Sequence, residues 1–349
     1  MTADDRMTAA SRESAGAAPA PPIAEVVGAG RSSGRLSRWI RIGVAFGLLA
    51  FLLTQIDLQQ ALRAVAEARV ELLLLAFAIV LSSRLLAAAR WYLLLRGRHA
   101  ALTLVGVLRL MFVSDFVGYF MPGSLGIEVL RVYGLAKMTA DPALSATSVV
   151  VERLVALVML VLMVLVGLAA RPLALPAEIG RLAWLFLGLL LVGVLAVMAS
   201  PTRSLALRLL PGQRLARVRR ALQRVFAALD TYRSRPWLIA ASFLLALLFQ
   251  LMRCTAVTVG AAALGHPLPF TFILVVFPIM LLIGLLPITI AGLGVREAAF
   301  VYFLGIGGMP PEIALPLALI QRSFGILLTL PGAWWYLRRG LHDRRAGEG

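Results

Sequence analysis

Apolar residues in this chain come in long blocks, not in short alternating runs. A helix that crosses a bilayer needs about 20 mostly apolar residues. Blocks of that kind lie at 39–56, 72–94, 144–169, 182–199, 237–264 and 313–337. The pattern predicts an all-α integral membrane protein. Two further blocks do not read as simple spans. One, 101–121, ends at Met121-Pro122-Gly123; the other, 269–286, ends at Leu286-Pro287. Both run into glycine-rich turns, with Gly123 and Gly126 in the first and Gly292 and Gly294 in the second. Each turn is followed by a short segment carrying charge.

The polar positions between blocks orient them, because loops on the cytoplasmic side collect arginine and lysine. Arg31, Arg35, Arg38 and Arg41 precede the first block, and Arg96 and Arg98 follow the second. The loop 200–236 holds nine arginines with Asp230 as its only acid, and Arg338, Arg339, Arg344 and Arg345 close the chain. All four regions are expected in the cytoplasm, so both termini are too. Six full spans satisfy this if 101–137 and 269–304 are re-entrant or broken helical hairpins. Eight full spans preserve the same ends, but 124–140 carries Glu128, Arg131 and Lys137 and makes a poor lipid-facing span.

Three regions complete the expected organisation. Residues 1–36, rich in Ala, Ser, Gly and Pro, read as a disordered cytoplasmic tail. Residues 37–338 form one transmembrane domain, and 339–349 a second cytoplasmic tail. Within 200–236, Leu215, Val218, Leu222, Val225 and Leu229 recur at helical spacing among arginines. That predicts a basic amphipathic helix, with 203–229 lying on an anionic lipid surface. A solvated connector is the alternative.

Composition agrees. The 349 residues are 60% hydrophobic and only 15% charged, with a mean hydropathy of +0.90. The net charge of +17 sits mostly in arginines between apolar blocks, which argues against a nucleic-acid partner. Cys254 is the only cysteine, so no disulfide framework or thiol-rich metal site is expected. No phosphate-binding loop and no HExxH motif occurs. The reading therefore names no catalytic residue, no metal and no cofactor.

The two broken elements resemble each other. Pro122 to Arg131 and Pro287 to Arg296 each span nine residues. Each is followed by a block with a polar pair, Glu152-Arg153 or Gln321-Arg322. Charge topology gives the units 72–169 and 237–337 opposite orientations, so the repeat is read as inverted. Inverted repeats with broken helices are a transporter signature.

Charges inside spans face a cavity or one another. The deep charges are Arg84, Asp115, Glu128, Arg131, Glu152, Arg153, Arg253, Arg296, Glu297 and Arg322. Arginine dominates, and its planar fork suits phosphate oxygens. The expected headgroup ligands are Arg131, Arg153, Arg296 and Arg322, with Arg84. Glu128, Glu152 and Glu297 would orient them or couple protons, and Asp115 would carry protons. Equally, Arg131 with Glu152, and Arg322 with Glu297, are expected as pairs that hold the bundle. Arg90-Trp91 reads as an interfacial anchor.

These pieces resemble one family: Arg90-Trp91, Pro122-Gly123-Ser-Leu-Gly126 with Glu128 and Arg131, Val150-Val-Glu152-Arg153, and Leu286-Pro287 through Gly294-Val-Arg296-Glu297. The chain is similar to the lysylphosphatidylglycerol synthase transmembrane-domain family over about 39–338. It departs where the family tends to read Gly-Gly-Asp and this chain reads Gly126-Ile127-Glu128. With no aminoacyl-transferase domain after residue 338, the resemblance implies the membrane half alone. That is a flippase-like domain expected to move an anionic or modified lipid across a bacterial inner membrane. A membrane-embedded enzyme, or an accessory subunit in phospholipid, hopanoid or polyprenyl-lipid synthesis, is the alternative. Membrane lipids are the expected partners, with self-association or a lipid-synthesis enzyme as further partners.

Overall fold

The computed structural model describes residues 57–96, 102–119, 125–169, 236–284 and 293–337, with isolated positions at 47, 54, 184, 188, 192 and 223. The blocks at 39–56 and 182–199, the basic segment 203–229 and both tails lie outside the described residues, apart from those isolated positions. So do Pro122, Gly123, Pro287 and Gly292.

The described helices are α1 (Leu58–Ala66), α2 (Val70–Arg96), α3 (Leu104–Tyr119), α4 (Leu125–Thr139), α5 (Pro142–Ala169), α6 (Pro236–Ala263), α7 (Phe270–Gly284), α8 (Val295–Ile306) and α9 (Pro311–Leu327). After a turn at Leu328 and Thr329, α9 resumes and runs to Leu337. Among the described residues every regular element is helical. Four helices are long and apolar enough to cross a membrane: Val70–Arg96, Leu144–Val166, Pro236–Ala263 and Pro311–Leu337. They coincide with four of the six predicted spans. Their outer faces carry Leu74, Leu81, Leu85, Leu162, Val166 and Leu244, as a lipid-facing surface requires.

After α1 the order is long, short, short, long, and then the same again. Each short pair is an antiparallel hairpin. In the first, Leu110 of α3 meets Gly134 of α4 and Ile127 of α4 meets Gly118 of α3. In the second, Phe277 of α7 lies edge-on to Phe300 of α8 at 6.4 Å, and Phe272 abuts Gly307.

Local sequence explains where these helices begin. At α5, the Asp141 carboxylate accepts from the Leu144 amide at 2.9 Å and Pro142 takes the first helical position. Pro311 opens α9 in the same way. Gly294 stands before α8 with φ of 83°, a conformation closed to most other residues. Gly126 was expected in the first turn. It lies instead inside the first turn of α4, which begins at Leu125.

Among the described helices, the leading helices α2 and α6 share the most extensive packing. They run antiparallel: the Arg69 amide bonds the Ala263 carbonyl at 2.9 Å, and further along Arg90 approaches Phe249. Their buried faces are rich in small residues, Ala76, Ser83, Ala87 and Ala88 on α2 and Ser242, Ala246, Ala256 and Gly260 on α6, and Ala76 and Val80 pack with Ala256. Lipid tails offer helices no hydrophobic drive to associate, so close approach of backbones supplies the stability. Two main cores flank this seam. One joins α2, α3 and α4 with Val149 of α5; the other joins α6 to α9 with residues 151–164 of α5 and Leu94 of α2.

Candidate functional site

The deep charges converge in two groups, and each is built by a hairpin and the long helix that follows it. In the first, Arg131 of α4 is the hub. Its guanidinium donates to Asp115 of α3 at 3.2 Å and to Glu152 of α5 at 3.3 Å. Arg84 pairs with the other oxygen of Asp115, and Arg90 donates to Glu152 at 3.0 Å. Three arginines thus share two carboxylates. Arg131, Asp115 and Glu152 are all buried.

Aromatic rings complete the cluster. Arg131 lies 5.5 Å from the Trp91 ring centre, and Arg90 lies 6.0 Å from that of Phe249. A guanidinium over a ring face is attracted by the ring quadrupole, more strongly when desolvated. The Trp91 indole N–H donates to the Ser148 hydroxyl at 3.3 Å, which fixes the ring under Arg131.

This overturns one expectation. Arg90 and Trp91 are not an interfacial anchor: they are only 5% and 0% exposed and sit inside the bundle. Position along the block had suggested the boundary. Position around the helix decides otherwise, because Arg90 continues the buried stripe Ala76, Val80, Ser83, Ala87.

The second group is smaller. Arg322 of α9 donates from Nε to Glu297 of α8. The other Glu297 oxygen accepts from the Gly294 amide at 2.7 Å, so the carboxylate also caps α8, where the helix dipole favours negative charge. Beside it, Gln321 donates to the Ala256 carbonyl at 3.1 Å and ties α9 to α6. Arg253 of α6 and Arg296 of α8 flank the Phe277–Phe300 ring pair, each 5.8 Å from one ring centre.

Glu128, in the first turn of α4, pairs with Arg153 of α5. This pair is more open than the others, with the Arg153 side chain 44% exposed. The two sequence-expected pairs, Arg131 with Glu152 and Arg322 with Glu297, are both formed. The pairing of Arg153 with Glu128, and the roles of Arg90, Trp91 and Ser148, were not read from sequence. Among the described residues no three His, Cys, Asp or Glu side chains gather as a metal site.

Among the described residues, seven arginines (84, 90, 131, 153, 253, 296 and 322) thus stand with four carboxylates, and each carboxylate is already engaged by at least one of them. Chemically, this is an interior poised toward anions.

The family model described as "Lysylphosphatidylglycerol synthase TM region" matches residues 38–332. No curated protein and no solved structure matches the chain. With a multi-pass apolar helical fold and a family match over most of its length, the chain belongs to the lysylphosphatidylglycerol synthase transmembrane-region family, a family of membrane proteins concerned with lipids.

Proposed function

We propose that this protein moves an anionic or modified lipid between the leaflets of a bacterial inner membrane, acting as a transporter and not as an enzyme. The observation that carries the reading is Arg253, an arginine within the α6 span that has no carboxylate partner among the described residues. An uncompensated charge inside a membrane protein is costly and is kept for function. A lipid phosphate supplies the missing anion, and arginine forks bind its oxygens in pairs.

The fold supports alternating access between two inverted halves, α2–α5 and α6–α9. The leading helices α2 and α6 are antiparallel, as inversion demands. Short helices of 16, 15, 15 and 12 residues form the hairpins. At 1.5 Å per residue the longest reaches about 24 Å, less than a hydrocarbon core of about 30 Å. Each hairpin then enters and leaves by one face, giving six full spans and cytoplasmic termini.

The contacts also refine the register of the repeat. Glu128 to Arg153 and Glu297 to Arg322 are both separated by 25 residues. Adding 169 to the first member of each of these matches gives the second: Gly123 and Gly292, Glu128 and Glu297, Pro142 and Pro311, Glu152 and Gln321, Arg153 and Arg322. Aligning Pro122 with Pro287, as sequence spacing suggested, is four residues out of this register. In the new register the matched unit is a carboxylate at the start of the second hairpin helix, paired with an arginine on the next span.

The test is transport of fluorescent lipids in proteoliposomes. The expected result is faster leaflet exchange of at least one anionic or headgroup-modified lipid than in protein-free vesicles. Rates equal to protein-free vesicles across several lipid classes would sink the reading.

A further inference from the structure

In the register of 169, Arg84 of α2 corresponds to Arg253 of α6. These two arginines lie on facing stripes of the α2–α6 seam. Arg84 is one turn from Val80, which packs with Ala256; Arg253 lies between Phe249 and Ala256 on α6. Phe249 in turn meets Arg90, one and a half turns beyond Arg84. The two side chains therefore share a depth, on either side of the axis that would relate the halves. The charge of Arg253 reaches Arg84 across the seam. Arg253 also feels the charge of Arg296 across the phenylalanine pair.

Like charges held together in an apolar bundle repel, and only an anion between them relieves it. Arg84 shares Asp115 with Arg131. Arg253 has no carboxylate partner among the described residues; its contact is the face of the Phe277 ring. That ring orients the guanidinium without neutralising it. We propose that Arg253 and Arg84 form a phosphate-binding site on the seam between the two halves, with Arg253 the principal ligand. The site rests on the transport reading and deepens it, since it names the group recognised: a phosphate oxyanion shared by both halves, from a lipid headgroup or from free phosphate.

The experiment uses the purified full chain in neutral detergent. Binding of short-chain phosphatidylglycerol, short-chain phosphatidylcholine and inorganic phosphate is read by thermal shift, beside lipid exchange in proteoliposomes. Wild type is expected to bind phosphatidylglycerol, and R253Q to bind it at least about tenfold more weakly, the loss expected for a charge-assisted hydrogen bond. R253K, which keeps the charge but not the fork, falls between them. Without ligand, R253Q melts no lower than wild type, because it removes an unneutralised cation; a purely structural arginine would lower it.

Inorganic phosphate that competes in wild type and not in R253Q supports the site with either source of phosphate. Phosphatidylglycerol binding without phosphate competition, equally lost in R253Q, supports it with the lipid as the source. Equal phosphatidylglycerol affinity in wild type, R253K and R253Q overturns the site even if lipid exchange continues. Arg253-dependent binding without any lipid exchange leaves the site standing and overturns the transport reading instead. Should R253Q fail to fold, an R253K affinity equal to that of wild type overturns the site.

Discussion

The two described groups of four helices, α2–α5 and α6–α9, follow the same order of long and short helices and differ in what they bury. At matched positions both have the carboxylate–arginine pair, Glu128 with Arg153 and Glu297 with Arg322. Around it they diverge. Where the first half has Asp115, Arg131 and Glu152, the second has Gly284, Phe300 and Gln321. The hub guanidinium of Arg131 is replaced by a phenyl ring that packs on Phe277. Beyond the shared pair, the first half adds buried ions and the second adds apolar packing. The shared pair belongs to the architecture; the ionic cluster is an elaboration of one half. In a transporter with two halves, such asymmetry would make one half the stiffer partner.

The largest test of this contrast is Glu152→Gln against Gln321→Leu. Glu152 pairs with two buried arginines, so its loss leaves Arg90 with no carboxylate among the described residues and Arg131 sharing Asp115 with Arg84. Removing one partner of a buried ion pair costs about 3–5 kcal/mol. Gln321 makes one neutral hydrogen bond to Ala256, worth about 1 kcal/mol. Thermal melts in detergent should show a far larger drop for Glu152→Gln. Equal drops would mean that the ionic cluster does not stabilise the first half.

Next comes Glu297→Gln. It strips the anion from Arg322 and weakens the cap on α8, and its expected cost is about 3 kcal/mol. If the second half relies on packing alone, the melt will hardly move and the shared pair is dispensable there.

The ease with which each feature could be read from sequence follows the length scale that encodes it. Four spans were legible because 20 apolar residues in a row admit few other readings. Glu297 and Arg322 were legible as partners because lone opposite charges in apolar blocks must find each other. The spacing of Pro122 and Pro287 suggested one register for the proposed repeat, and the Glu128–Arg153 and Glu297–Arg322 pairs suggest another, because a side-chain contact between helices is not written in local spacing. Arg90 was misplaced because distance from the end of a block says nothing about which face of the helix it occupies. That information lay in the small residues at Ala76, Val80, Ser83 and Ala87, whose spacing marks a packed seam. Pro122, Gly123, Pro287 and Gly292, expected in the turns, lie outside the described residues.

A third test concerns the seams between halves. In the register of 169, Met163 corresponds to Gly332. Met163 fills the core that α5 shares with α7. Gly332 lets α9 close on α3, where an added Cβ would collide with the Phe112 carbonyl. Gly332→Ala must push the backbones apart and is expected to cost about 1–3 kcal/mol. The displacement would also disturb the Phe112–Trp335 and Phe116–Tyr336 ring contacts across the same seam. Tryptophan fluorescence should therefore shift together with the melt. A neutral outcome would mean that α9 docks on α3 more loosely than its counterpart α5 docks on α7.

The smallest effect on stability should come from Glu128→Gln, and the reason sharpens the comparison most. Glu128 and Glu297 hold matched positions at the starts of α4 and α8, and both grip an arginine 25 residues on. Burial separates them. Glu297 is 1% exposed, whereas the Arg153 side chain paired with Glu128 is 44% exposed. Water or lipid headgroups screen the open pair, so its loss should cost no more than about 1 kcal/mol. What changes is the freedom of Arg153. Released from Glu128, it becomes one more cation available to an anionic headgroup. Affinity for short-chain phosphatidylglycerol should therefore hold or rise in Glu128→Gln, while Glu297→Gln lowers the melt. If Glu128→Gln is instead as destabilising as Glu297→Gln, the two pairs are equivalent structural clamps, and the functional asymmetry lies in the Asp115, Arg131 and Glu152 cluster alone.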